Sequence, residues 1–221
     1  MLTVHHLNNS RSQRVLWLLE ELGAPYEIVR YERDPRTMLA PPALKAIHPL
    51  GKSPVVTVDG ETLAETGAIV EFLLERYGDG RLAPPAGTPQ ARRMRYWLHY
   101  AEGSAMSPLL LKLVFSRMPS RAPGLLKPLV SGIASKAQAE LVDPQLKTHF
   151  DYWEAELAPS GWFAGPEMTA ADIMMSFPVE AAASRGAAAD GRPNLAHFLK
   201  AIHARPAYQR ALERGGPYAY A

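Results

Sequence analysis

The chain contains no cysteine, so disulfides, thiolate metal sites, cysteine nucleophiles and Cys-X-X-Cys redox chemistry are excluded. Any thiol that reacts here must arrive on a ligand. Long apolar runs are also missing. Nothing approaches the roughly 18 apolar residues of a membrane span, and the opening MLTVHHLNNSR has neither the basic flank nor the apolar core of a signal peptide. A cytoplasmic location with no membrane partner is the expectation. Neither charge dominates: 24 Lys and Arg stand against 22 Asp and Glu, a net charge of +2, which leaves no broad footprint for nucleic acid. The seven histidines are scattered without His-Glu-X-X-His spacing, and His5 and His6 alternate faces of a strand, so no metal centre is expected.

An apolar share of 47% and a charged share of 21% are ordinary for a globular protein, and the length suits one large domain or two small ones sharing an interface. The most informative stretch is PLGKSPVVTVDGETLAETGAIVEFLL, residues 49–74. Gly51-Lys52-Ser53 invites a phosphate-loop reading, but the first glycine of that pattern would fall on Ala46, and Ser53 is followed by Pro54 and a strand rather than a helix. Pro54 itself enters a β run, where proline cannot donate to a ladder. A cis Ser53-Pro54 bond would turn the backbone of Ser53 outward for a ligand, although only about 5–6% of X-Pro bonds in folded proteins are cis. On the residues alone, Thr66 reads equally as a helix cap and Lys52 as a solvated side chain.

In chain order, residues 2–6 have a strand's length, Asn8-Asn9-Ser10 is turn and cap chemistry, and Val15, Leu18, Leu19 and Leu22 repeat at helical spacing before a stop at Gly23. Residues 26–31 read as a second strand, parallel to the first through the helical crossover. A short helix is expected near 43–47. Strands at 55–58 and 61–63 meet at Asp59-Gly60, a hairpin signal, and a helix over 66–77 buries Ile69, Val70, Leu73, Leu74 and Tyr77. The order is βαβαββα over residues 1–78. Residues 79–88, DGRLAPPAGT, have a linker's Pro and Gly density. Residues 89–221 then read as helices throughout: a long one starting at a Thr88 cap with Pro89 and bending at Pro108, a region around 119–129 broken by three prolines, and further helices over 134–157, 169–184, 194–204 and 206–214. Thr169 and Asp172 form a capping-box pattern whose role is folding.

This order resembles the glutathione transferases, through PLGKSPVV, AETGAIVEFL, SRSQRVLWLLEELGAPYE, the EGS at 102–104 and TAADIMMSFP. The likeness covers essentially the whole chain and looks most like a theta-related fungal and bacterial branch. It implies an α/β thioredoxin-like domain that binds glutathione, an all-α domain that holds a second, apolar electrophilic substrate, and a homodimer. In the family the proline matching Pro54 is cis, and the residue matching Ser53 pairs its backbone with the cysteinyl amide of glutathione. Glu65 would face the γ-glutamyl ammonium, Thr66 and its helix N-terminus the carboxylate, and Lys52 the glycyl end or nearby backbone.

A free thiol near pKa 8.5 is mostly protonated at neutral pH, and a hydroxyl donor lowers it by favouring the charged form. Ser10 lies four residues before Arg14, the spacing seen in family members that use serine, and is the candidate activator. The plain alternative is a helix cap, and Asn9, Arg11 and Ser12 are close enough to replace it. Tyrosine-based and cysteine-based classes are disfavoured because neither residue occurs there. The double-serine and cysteine signature of the maleylacetoacetate isomerase branch is likewise not evident. Tyr96, Tyr100 and Ser104 share a helix face and are candidates for the electrophile pocket, while Arg92, Arg93 and Arg95 read as a solvated face. The expected chemistry is addition of the glutathione sulfur to apolar electrophiles, with hydroperoxide reduction as a related activity and no metal. The rival reading is a non-catalytic ligand carrier or partner-binding module of the same fold.

Overall fold

A computed structural model describes residues 1–184 and 191–220. Its first half is a mixed sheet flanked by helices: β1 (Thr3–Leu7), α1 (Ser12–Leu22), β2 (Glu27–Tyr31), α2 (Pro42–Ile47), β3 (Val55–Val58), β4 (Glu61–Ala64) and α3 (Thr66–Tyr77). The strand order is β2-β1-β3-β4. The β1–β2 pair is parallel, with Thr3 opposite Glu27, and β3 is antiparallel to both β1 and β4. Asp59 and Gly60 both have positive φ, 51° and 86°, the twist that a two-residue hairpin needs. Gly23 closes α1 in the left-handed region at φ 61°, as its position after the last apolar residue anticipates.

Helices then follow to the end: α4 (Pro89–Tyr100), α5 (Met106–Arg121), α6 (Lys127–Ala137), α7 (Asp143–Leu157), α8 (Ala170–Ala183), α9 (Pro193–His203) and α10 (Pro206–Gly215). Thr88 caps α4 by accepting from Ala91 N at 3.2 Å. One expectation is corrected here. The long helix is interrupted by a π-helical turn over Ala101–Ala105 and not at Pro108, which sits inside α5. Proline has no N–H to return to the carbonyl four residues earlier, and the wider turn before it absorbs the mismatch. A second π turn, Gln138–Val142, joins α6 to α7. The three-proline region resolves into the end of α5, a 3₁₀ turn over Gly124–Leu126 and the start of α6.

α1 is the central helix. It packs on β1 and α3 from its own half and on α8 and α10 from the other, so Ser12 to Leu19 are all buried. Charges lock the far side: Arg205 reaches Glu21 at 2.5 Å, and Arg210 and Arg214 reach Glu20 at 2.8 and 2.9 Å. The Arg214 guanidinium also lies 3.8 Å from the Tyr26 ring centroid. This clamp holds the C-terminal end of α1 against α10 and Arg205 just before it. Among the described residues no helix is long and apolar enough to cross a membrane.

Candidate active site

The turn from Asn8 to Arg11 leaves the sheet, with Asn9 at φ 49°, and delivers Ser10 into a buried cluster of hydroxyls. Ser10 Oγ lies 2.7 Å from Ser12 Oγ and 3.4 Å from Ser53 Oγ, and Ser10 is 4% exposed. It also accepts from Ser12 N–H at 3.3 Å, so a helix-starting role coexists with whatever else it does. Ser12 Oγ is 2.8 Å from His6 Nδ1. Ser53 Oγ donates to the His5 carbonyl at 2.9 Å and accepts from Leu7 N–H at 3.3 Å. The side chain of Ser53 thus faces β1, just ahead of the β3 ladder that starts at Val55. The Ser53-Pro54 bond is cis.

Glu65 ends the β4 side of the site at φ 70°, ψ 120°, uncommon for a residue with a side chain. It is exposed and occupies the N-cap position of α3 without a side-chain cap. The first turn of α3 therefore presents free N–H groups and the positive end of its dipole beside an exposed carboxylate. Thr66 is buried. Its hydroxyl accepts from Arg14 Nη2 at 3.4 Å and bonds to Glu102. Lys52 is exposed.

Beneath these residues lies a buried charge group that sequence reasoning passed over. Arg14, 1% exposed, donates to Glu102 Oε1 and to the Met174 carbonyl at 2.8 Å, and sits 5.5 Å from the Phe177 ring centroid. Arg11 Nε stands 3.2 Å from Glu102 Oε2, an ion pair by distance whose N–H is not aligned for a hydrogen bond. Burial raises the Glu102 carboxyl, but the Arg14 and Arg11 charges outweigh it and hold the group below the ordinary range. Glu102 belongs to the EGS stretch, which was noticed for family likeness and not for charge. The C-terminal tail also reaches the turn. Asn9 Oδ1 accepts from Ala219 N–H at 2.8 Å, and Tyr218 donates to the buried Glu180 carboxylate at 2.7 Å.

The electrophile-side candidates are scattered. Tyr100 is 9% exposed, its hydroxyl bonded to His149 and accepting from Trp153 Nε1 at 3.0 Å. Tyr96 is half exposed and stacks on Tyr100, and Ser104 is exposed. The contacts of Tyr96 and Tyr100 run to α7, whereas those of Ser10 run to the start of α1 and to Ser53 ahead of β3. Two cavities, of about 310 and 450 Å³, are lined by the linker with residues 164–169 and by the sheet end where β1 and β2 begin, with Val58, Asp59, Arg76 and Tyr77, respectively. Neither includes a candidate site residue. Among the described residues no group of three or more His, Asp or Glu could hold a metal ion.

A mixed sheet with a cis-proline and a hydroxyl-lined turn, followed by a helical half, is the arrangement to be compared with known proteins. Residues 10–76 match the family profile described as "Glutathione S-transferase, N-terminal domain", and residues 117–206 match "Glutathione S-transferase, C-terminal domain". Glutathione S-transferase 1 of Saccharomyces cerevisiae is 35% identical, the alignment covering 97% of this chain and 95% of the relative. Glutathione S-transferase 3 of Schizosaccharomyces pombe is 34% identical over 97% and 88% of the two chains. Among solved structures, a glutathione S-transferase from Actinobacillus pleuropneumoniae superposes with a TM-score of 0.79 at 31% identity over 99% of this chain and 94% of that one. The chain belongs to the glutathione S-transferase family. It is a transferase that uses glutathione as co-substrate.

Proposed function

We propose that this enzyme binds glutathione along the rim formed by Lys52, Ser53, Glu65 and Thr66, holds its sulfur as a thiolate with Ser10, and adds that sulfur to small apolar electrophiles. The observation that carries the reading is the position of the Ser10 hydroxyl. It is buried and lies 3.4 Å from the side chain of Ser53, the residue whose backbone would pair with the cysteinyl amide of the tripeptide. The free N–H groups of α3 suit the γ-glutamyl carboxylate, and the exposed Glu65 suits the neighbouring ammonium. Lys52 would take the glycyl end or nearby backbone.

Each pKa unit by which Ser10 lowers the thiol corresponds to about 1.4 kcal/mol of preference for the thiolate. Alignment of two bound substrates supplies much of the remaining acceleration. The acceptor chemistries are substitution at aryl halides, conjugate addition to enones and reduction of hydroperoxides. Ser10 is favoured among the four because its hydroxyl reaches Ser53, whereas the side chains of Asn9, Ser12 and Arg11 turn to the tail, His6 and Glu102. Tyr96 and Ser104 are the exposed candidates for the electrophile side. We place the enzyme in the cytoplasm as a homodimer; sedimentation as a monomer at micromolar concentration would remove the dimer.

Glutathione consumption with a panel of aryl halides, enones and hydroperoxides tests the reading. Turnover with at least one class is expected. Tight glutathione binding by calorimetry with no turnover across the panel would instead make the protein a ligand carrier.

A further inference from the structure

Ser12 stands directly behind Ser10 and forms a hydroxyl chain with it that ends on His6. Ser12 Oγ is 2.7 Å from Ser10 Oγ and 2.8 Å from His6 Nδ1, and all three side chains are buried. The direction of this chain follows from its far end. Burial, with the Arg30 charge added, pushes the His6 imidazole down to about 4, against the opposing pull of the Gly215 backbone as an acceptor. A neutral imidazole carries one N–H, and a carbonyl only accepts. With Nδ1 facing Ser12, we assign the single proton to Nε2, the nitrogen left for the Gly215 backbone acceptor, so that Nδ1 is an acceptor. Ser12 therefore donates its hydroxyl proton to His6, and the oxygen of Ser12 turns a lone pair toward Ser10.

We propose that Ser12 is a positioning residue that competes with the glutathione sulfur for the single hydroxyl proton of Ser10, and that His6 keeps it in that role. Ser53 Oγ, at 3.4 Å, is a poorer acceptor for the same proton. The chain is not a route for removing the thiol proton. An imidazole near 4 is far too weak a base to take a proton from a thiol near 8.5. Its effect is electrostatic: while the Ser10 proton points at Ser12, the sulfur faces an oxygen lone pair, which favours the thiol form over the thiolate. The charged groups around the chain are Arg30 of β2, facing His6, and Arg11, Arg14 and Glu102 beside the turn. The hydrogen bonds of Ser12 run to Ser10, His6 and Leu7.

This inference rests on Ser10 as the donor to sulfur, and its test separates the two claims. The titration of enzyme-bound thiolate, followed by ultraviolet absorbance, is compared in wild type, Ser12→Ala, His6→Asn and Ser10→Ala. Ser12→Ala removes the competing acceptor, so its midpoint should fall by roughly half to one pH unit. His6→Asn offers an oxygen in place of Nδ1 and should keep the wild-type midpoint, while Ser10→Ala should raise it. A Ser12→Ala midpoint that stays put or rises alongside Ser10→Ala would overturn the proposal, because loss of mere support for Ser10 weakens the donor. A Ser10→Ala midpoint equal to wild type would remove the premise itself.

Discussion

Glu65 concentrates the tension between folding and binding in one residue. Its φ of 70° lies outside the regions that side-chain-bearing residues prefer, a strain of order 1–3 kcal/mol that gathers at ligand sites. Glycine carries no such penalty but loses unfolded-state entropy of similar size. Glu65→Gly should therefore leave stability to urea within about 1 kcal/mol of wild type while weakening glutathione binding by roughly tenfold or more in calorimetry. A variant that loses stability but keeps affinity would place the role of Glu65 in the fold. His6 makes a second residue-scale prediction. Its folded pKa of about 4 lies below the ordinary 6.5, so between those values the native state binds fewer protons than the unfolded chain. That contribution to stability is present above pH 6.5 and is lost as pH falls toward 4, by about 3 kcal/mol. Asp172 acts oppositely. Burial raises it to about 6 despite bonds from Phe163 and Thr169, so its share of stability falls as pH rises from about 4 to 6. The two slopes offset each other in wild type. In His6→Gln, urea titrations from pH 4 to 7 should show stability declining toward neutrality relative to wild type; a parallel pH profile would refute the assignment.

At the scale of elements, legibility followed the range of the signal. The Asp59-Gly60 hairpin, the Gly23 stop, the Thr88-Pro89 start and the Thr169-Asp172 box are chemical choices made within four residues, and each appears in the fold where the chain announces it. The π turn over Ala101–Ala105 has no comparable mark. It answers to Pro108, but Pro108 alone did not say where the ladder would give way. The full burial of α1 was also illegible, because the face opposite Val15 and Leu18 is covered by α10, nearly two hundred residues away in sequence. On another side of α1 lies Arg14, which on periodicity alone would be a solvated residue and is instead covered by α8 and paired with Glu102 from the π turn. Removing one partner of a buried pair leaves the other uncompensated. Arg14→Met should cost about 3 kcal/mol in urea unfolding, and a loss below about 1 kcal/mol would mean that Arg11 alone satisfies Glu102.

For the whole molecule, the site is assembled from pieces that no single stretch contains. The hydroxyl chain joins β1, the following turn and the loop before β3. The charge group beneath it joins α1 to Glu102 and to α8 through Met174, and the tail closes on Asn9 through Ala219. The sequence could put forward Ser10, Ser53, Glu65 and Thr66 as candidates because family likeness carries local patterns. It could not show that the Ser10 and Ser12 hydroxyls lie 2.7 Å apart, that Tyr100 packs toward α7, or that a short aperiodic tail reaches the turn. These depend on contacts made only after the helical half folds back over the sheet. The central claim remains that Ser10 gives glutathione its reactive form. Ultraviolet titration of glutathione bound to wild type and to Ser10→Ala addresses it directly. The wild-type midpoint should lie at least one unit below the roughly 8.5 of a free thiol and return toward that value in Ser10→Ala, with glutathione affinity little changed. Coincident midpoints in the two proteins would contradict it.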